Sequence, residues 1–518
     1  MPKINPAEPT RRHALRHIAS AATYFVGSFA LPSRGQPTAT TPPVGSINAE
    51  RADQWRALSR LGYGPTASLV QTIESTSPHA WALQQLAAAH RASQMPPVVA
   101  SDLQDIHAPL PQIFEGVQRE RQARAAIKAQ SAAAANDAND ATRQRLDFSG
   151  PVEPLHFNRL MIEKTAVWRL TSCSRPELEN PLLARMTEFW FNHLNVYIGK
   201  GPVRPFVGHY LINVARAHAF GKFEDLLLAS ARHPAMLHYL DQAQSVANGT
   251  RTAQGGTRGL NENYARELME LHTLGVDGGY TQTDVRELAR VLTGWTIGPN
   301  MPDGFRFLLR AHDSASKKVL GHSYPESLFR RGEAEGEDAI RMLARHPSTA
   351  RRLSLRLAQF FVADQPSPAL VKHLGQVFLE SGGDIRTWMQ ALLESVDFWD
   401  PANRLFKTPM DFACSVLTAT QSAPERKSLL LTIGFLSGAG QPLHGWQTPD
   451  GYKTDAATWL APEALTRRAD YAMQMGKQAD HLDFLLPFFS DATRQSVAQE
   501  RPALRNGLLL ASPDGMYK

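Results

Sequence analysis

The spacing of apolar residues is the feature that most constrains the fold of this chain. From Asn48 onward, apolar side chains recur three and four positions apart, as in Trp55, Leu58 and Leu61, which is the period of a helix with one buried face. Alternating runs, which are typical of half-buried strands, are scarce. We therefore predict a mainly α, compact multi-helical domain with at most a small hairpin or sheet.

One β-hairpin is expected late in the middle of the chain. Its strands would be residues 305–309 and 318–320, and its turn would contain His312, Asp313 and Ser314, because polar turn residues there separate two strand-like runs. No repeat of fixed period occurs, so the pattern does not favour a solenoid.

Composition excludes several classes of protein. The 518 residues are 43% hydrophobic with a net charge of +6, which is enough apolar material for a large core. Basic residues are scattered among acidic ones, so nucleic acid is not a predicted partner. The two cysteines, Cys173 and Cys414, are so distant and isolated in the sequence that neither a disulfide framework nor a thiolate metal centre is expected.

The N-terminal segment has the pattern of an export signal. Arg11 and Arg12 precede an uncharged run at residues 18–33, which is too short and too polar for a comfortable bilayer span. The pattern resembles a twin-arginine signal, although an ordinary disordered basic N-terminus remains open. We predict a periplasmic or secreted protein with no transmembrane span in the mature chain.

Four regions are predicted along the chain. Residues 1–45 would form the export signal and a Pro/Thr-rich linker. Residues 46–480 would form a single helical domain, from which a polar helical arm projects at about residues 112–147. Residues 481–518 would form a C-terminal tail packed on or beside that domain.

Two ionisable side chains fall on apolar helix faces. The helix opened by Asn180 and Pro181 places His193 among apolar residues, and a helix over residues 260–274 places Glu267 inside its apolar stripe. Both side chains should point inward. A buried carboxylate must be protonated, paired with a cation or bound to a metal.

These two residues are therefore the candidate catalytic pair, Glu267 as base and His193 as acid. A divalent metal would use His193, Glu267, His312 and Asp313 as ligands. The polar pocket around the pair would contain Asn261, Asn263, Arg266, Glu270, His272 and Asp241.

Two readings without a metal stay open for this cluster. It can be an architectural network that locks helices together, or Glu267 and Glu270 can be an acid/base pair of the glycosidase kind. Nucleophile-elbow, Walker and dinucleotide-binding motifs are missing from the sequence. Thr281 and Asp284 have the spacing of a helix-capping box.

A set of ordered motifs resembles a known bacterial family. The segment NENYARELMEL at residues 261–271 is followed by Gly275, Tyr280-Thr281, Asp284-Val285 and Thr293-Gly294-Trp295, and preceded by Trp190-Phe191-Asn192-His193 and Tyr239-Leu240-Asp241. This order, over roughly residues 51–473, is similar to the family called domain of unknown function 1800.

The resemblance implies a mostly helical and often exported protein without an assigned activity. Such proteins are often encoded beside a second exported family, domain of unknown function 1501, which implies a protein partner. Two functions are therefore expected: a metal- or carboxylate-dependent hydrolase acting on an envelope polymer or small ester, or a non-catalytic periplasmic scaffold or binding protein working with that partner.

Overall fold

A computed structural model describes residues 48–136, 155–251, 257–326 and 332–518. The predicted export signal and linker, with Arg11 and Arg12, lie outside these ranges, as does the part of the predicted arm beyond Asn136. Among the described helices, none has the length and apolar character needed to cross a bilayer.

The mainly α prediction is confirmed. The helices of the first half are α1 (Ala49–Arg60), α2 (Ala67–Glu74), α3 (Pro78–Ser93), α4 (Leu110–Asn136), α5 (Phe157–Ser174), α6 (Pro181–His193), α7 (Val207–Tyr210), α8 (Phe223–Arg232), α9 (Pro234–Tyr239), α10 (Asn263–Glu267) and α11 (Gln282–Val291). Those of the second half are α12 (Gly332–Ala344), α13 (Pro347–Phe361), α14 (Pro368–Glu380), α15 (Ile385–Glu394), α16 (Val396–Trp399), α17 (Pro409–Thr420), α18 (Arg426–Gly438), α19 (Ala456–Trp459), α20 (Pro462–Gly476), α21 (Asp491–Gln499) and α22 (Pro502–Ala511).

Two π-helical segments interrupt this pattern, each continuing a short α-helix. Leu211–Arg216 follows α7, and Leu268–His272 follows α10. Single π turns occur often at functional sites, because the extra residue per turn redirects side chains. The second segment lies inside the motif that contains Glu267.

Local capping signals place several helix starts correctly. Asn180 accepts a hydrogen bond from the backbone N–H of Leu183, with Pro181 at the first helical position of α6. Thr281 and Asp284 form the reciprocal capping box of α11, as predicted.

The described strands form three antiparallel pairs of two strands each. They are β1 (Thr250–Arg251) with β2 (Thr257–Arg258), β3 (Trp295–Ile297) with β4 (Phe305–Phe307), and β5 (Lys317–Val319) with β6 (His322–Tyr324).

The predicted hairpin pairing is wrong, although strands do form in both predicted segments. β4 pairs back to β3, and β5 pairs forward to β6. The turn between β5 and β6 consists of Leu320 and Gly321, both with positive φ, at 50° and 85°. Two consecutive positive φ values are typical of the tightest hairpin turns, and a leucine at such a position is a weak sequence signal.

A disulfide joins Cys173 in α5 to Cys414 in α17, with the two Cα atoms 6.2 Å apart. The expectation that these cysteines are too distant to pair is therefore wrong. Although 241 positions separate them in the sequence, α5 packs directly against α17. Both residues belong to a core that also buries Trp81, Trp190 and Trp388 completely.

Candidate functional site

His193 is buried at the end of α6, so its predicted inward orientation is confirmed. Its Nε2 lies 3.0 Å from the backbone carbonyl oxygen of His272 and can bond to it only as a donor. Burial, with the nearby charge of Arg356, lowers the pKa of His193 well below its ordinary value of 6.5. A neutral, buried imidazole that holds the π turn in place does not fit the predicted role of acid.

The regular helix that was predicted over residues 260–274 does not form, because α10 is short and does not continue as an α-helix. It begins at Asn263, and the π segment Leu268–His272 follows directly after Glu267. A change in residues per turn rotates the later side chains away from the positions of a 100° wheel. Glu267, the last residue of α10, precedes that change and is half-buried rather than buried.

The environment of Glu267 favours its protonated form. Burial raises the pKa of Glu267, the negative charges of Glu270 and Asp450 raise it further, and Arg266 opposes them. The pKa of the nearby Tyr239 is raised mainly by burial, and the charge of Glu267 raises it further. Glu267 is thus a partly accessible carboxyl group among other acids.

Asp450 is a second carboxyl group at this place, and the sequence analysis did not identify it. Its side chain accepts hydrogen bonds from the hydroxyl of Thr448 at 2.6 Å, the indole N–H of Trp446 at 2.9 Å and the ammonium group of Lys453 at 3.1 Å. Burial alone would raise the pKa of Asp450, but these bonds outweigh it and hold the pKa below its usual range. Asp450 therefore stays ionised.

The loop that carries Asp450 is fastened to the end of α6. The amide of Asn192 donates to the carbonyl of Tyr452 at 2.9 Å and accepts from its N–H at 2.7 Å. Gly451 has φ of 72°, and a Cβ atom there would come within 2.0 Å of the Asn192 carbonyl oxygen. The sequence Asp450-Gly451 was a turn signal that could have drawn attention to this loop.

Five other predicted pocket residues lie in the same part of the sequence but have separate partners. Asp241 pairs with Lys200 at 2.7 Å. The remaining contacts are Asn261 Oδ1 with the N–H of Asn263, Asn263 Nδ2 with the Leu240 carbonyl, Arg266 with Glu262 and Gln282, and Glu270 with the hydroxyl of Tyr280. Asn263 is exposed and Arg266 is only partly buried, so these two side chains do not line a closed pocket.

His272, the sixth, is buried beside His193. Burial, followed by the charge of Arg352, lowers the pKa of His272 to about 3. Its Nε2 has no hydrogen-bond partner. The ring of His272 packs beside that of His193, so it holds the π turn against α6.

The predicted metal set is not assembled. His312 Nδ1 lies 2.9 Å from the Thr293 carbonyl oxygen, and Asp313 pairs with Arg290 at 2.7 Å, whereas His193 bonds to His272. Within the ranges that the structure describes, no three His, Cys, Asp or Glu side chains are grouped so that they could hold a metal ion.

A buried charge network does exist, but it lies elsewhere. Asp411 pairs with Arg185 and, at 2.5 Å, with the ammonium group of Lys518, and all three side chains are at most 5% exposed. Arg185 also lies over the rings of Tyr63 and Phe360. The architectural role considered for Glu267 therefore belongs to Asp411, which the sequence analysis missed.

Comparison with known proteins gives one match. The model of a family described as "Protein of unknown function (DUF1800)" matches residues 56–514. No curated protein and no solved structure matches the chain.

Proposed function

The chain belongs to the DUF1800 family, and from that premise we propose that it is an exported, carboxylate-dependent hydrolase acting on an envelope polymer or a small ester. The observation that carries the proposal is the pair Glu267 and Asp450. Their environments move the two pKa values in opposite directions, which is the arrangement that separates an acid from a base among carboxyl groups.

The two groups would divide the proton transfers of a hydrolysis. Glu267, which is partly accessible, would protonate the leaving oxygen, and the ionised Asp450 would take a proton from the attacking water. Asp450 accepts three side-chain hydrogen bonds, and a carboxylate has about four acceptor positions. One position is therefore left for water.

The disulfide supports the export part of the proposal. Disulfides persist in secreted and periplasmic proteins and are rare in the reducing cytosol, and Cys173 is bonded to Cys414. A twin-arginine route is part of the same proposal. A reporter fused to residues 1–45 should be exported, and replacing both Arg11 and Arg12 by Lys should abolish that export.

Hydrolysis can be tested with a chromogenic acetate ester and with purified cell-wall polysaccharide as substrates. Glu267→Gln and Asp450→Asn should each lower kcat/KM by about 100-fold or more. Asp277→Asn is the control, because Asp277 is exposed. Wild-type protein that hydrolyses neither substrate, or variants that match the control, would refute the proposal.

A second candidate is a non-catalytic scaffold that binds an exported protein of the DUF1501 family. The observation in its favour is the arm formed by the later part of α4, where residues 121–131 are almost all exposed and include Arg121, Arg124 and Lys128. Replacing these three residues by Gln should abolish co-elution with an exported protein of the DUF1501 family in size-exclusion chromatography, while leaving the circular dichroism spectrum unchanged.

A further inference from the structure

A polar cleft lies beside the loop of Asp450, between the end of α6 and the C-terminal part of α13. It has a volume of about 210 Å³, and its lining includes Arg356, Asp364, Lys453, Asp455, Phe189 and Phe360. One water molecule takes up about 30 Å³ of liquid, so the cleft has room for a small organic molecule. We call it the Arg356 cleft.

Two buried side-chain atoms of residues that line the Arg356 cleft have no hydrogen-bond partner. They are Nε of Arg356 and Oδ1 of Asp364. The other oxygen of Asp364 accepts the backbone N–H of Ala456 at 2.8 Å, so only one side of this carboxylate is satisfied. Unsatisfied buried groups are costly and rare in folded proteins, and a ligand with one acceptor and one donor would satisfy both.

The charges along the cleft are balanced. Arg356 and Lys453 supply two cations, and Asp364 and Asp455 supply two anions. Burial lowers the pKa of Arg356, but only to about 10, so the guanidinium remains charged at neutral pH. A simple anion or a simple cation would meet like charges as well as opposite ones, whereas a zwitterion would pair with both signs.

We infer that the Arg356 cleft binds a small zwitterion of the α-amino acid class. The carboxylate of the ligand would accept from Arg356 Nε, its ammonium group would donate to Asp364 Oδ1, and an apolar side chain would lie against the rings of Phe189 and Phe360. This inference goes beyond the proposed hydrolase activity. Binding of the zwitterion can be measured without a hydrolysis assay.

The probes for this inference are L-leucine, isovaleric acid and isopentylamine. The last two each keep the apolar group and one charge of leucine. Calorimetry at pH 7 should show binding of leucine at least about 10-fold tighter than binding of either analogue, which corresponds to one charged contact of about 1.4 kcal/mol. Equal binding of isovaleric acid would overturn the inference in favour of an anion site, and equal binding of isopentylamine would overturn it in favour of a cation site.

Variants locate the binding in the cleft. Arg356→Gln and Asp364→Asn should each weaken leucine binding by about 10-fold or more, whereas Arg351→Gln, an exposed change on the same helix, should have no effect. Lys453→Gln is the safeguard against misfolding, because Lys453 is exposed, and it should also weaken binding. Leucine affinity that is unchanged in all three cleft variants would overturn the inference.

Two further outcomes are informative. No heat with leucine at about 10 mM, well above a millimolar dissociation constant, would show that water alone fills the cleft and would overturn the inference. Glu267→Gln should bind leucine as the wild type does. A failed hydrolysis assay and a failed binding assay therefore have separate meanings.

Discussion

Two charged regions of this protein differ in how completely their carboxyl groups are buried and paired. Asp411 lies in the core, where Arg185 and Lys518 occupy its oxygens and all three side chains are nearly inaccessible. At the Arg356 cleft and around Glu267, groups are half-exposed, repelled by like charges or left without a partner. A carboxylate whose oxygens are both paired inside the core holds helices together, although Nε and Nη2 of Arg185 have no hydrogen-bond partner there, whereas a half-exposed carboxyl group stays available to a ligand.

The largest expected effect on stability comes from replacing Asp411. Asp411→Asn should lower the free energy of unfolding by about 3–5 kcal/mol, because the charges of Arg185 and Lys518 would stay buried without compensation. Urea unfolding followed by circular dichroism measures this loss. Asp277→Asn, at an exposed position, should leave the unfolding midpoint unchanged. A loss no larger than that of this control would remove the architectural role from Asp411.

The disulfide should come next in size. Replacing Cys173 and Cys414 together by Ser should lower the free energy of unfolding by about 2–4 kcal/mol, because the bond restricts the unfolded chain across a long loop. Reducing the wild-type protein with dithiothreitol should produce a similar shift in melting temperature. If the double variant and the reduced protein were as stable as the oxidised one, the bond would have no part in holding α5 against α17.

Glu267 should show the smallest effect on stability. Glu267→Gln should leave the melting temperature unchanged or raise it, because the change removes a charge that Glu270 and Asp450 repel. Differential scanning calorimetry at pH 7 tests this expectation. A loss comparable to that of Asp411→Asn would place Glu267 with the architectural network and contradict the comparison.

The pKa values of Asp411 and Glu267 shift in opposite directions. The pH dependence of stability should therefore distinguish these two carboxyl groups. Burial opposes ionisation of Asp411, but Arg185 and Lys518 prevail and lower its pKa below the ordinary value of 3.8. Its stabilising contribution is present above that value and is lost as the pH falls through the lower, folded-state pKa. The stability difference between wild type and Asp411→Asn should therefore shrink in acid.

Glu267 should behave in the opposite way. Its folded-state pKa lies above the ordinary value of 4.5, so the folded state binds its proton more tightly than the unfolded state does. The wild type should lose stability relative to Glu267→Gln as the pH rises from 4.5 through the raised pKa. Urea midpoints measured below about pH 4 test the Asp411 series, and midpoints between about pH 4 and pH 8 test the Glu267 series. Stability differences that change with pH in the same window for both series would contradict the assignment.

Prediction from the sequence succeeded where the signal was local. Helix periodicity, the Asn180 cap, the capping box of Thr281 and Asp284, and the inward side chain of His193 depend on residues within a few positions of each other. Glu267 was placed correctly near other acids, but its burial was overestimated. The π segment that begins directly after Glu267 was not predicted, because the spacing of apolar residues does not indicate a change in the number of residues per turn.

The residues that prediction missed depend on contacts between distant parts of the chain. Asp450 approaches Glu267 because Asn192, Asn195 and Tyr239 bond to the backbone of its loop from distant elements. Strand pairing and the cysteine bond likewise follow from packing rather than from spacing.

The sequence by itself determined the helical architecture, the helix starts and the family of this protein, because these follow from short-range preferences and ordered motifs. Only the tertiary structure decided which carboxyl groups are buried and paired and which are half-exposed. Burial, desolvation and the direction of each pKa shift depend on what packs around a side chain. Arg185 and Lys518 beside Asp411, Asp450 beside Glu267, and Lys453 and Asp455 at the Arg356 cleft all come from elements far away in the sequence.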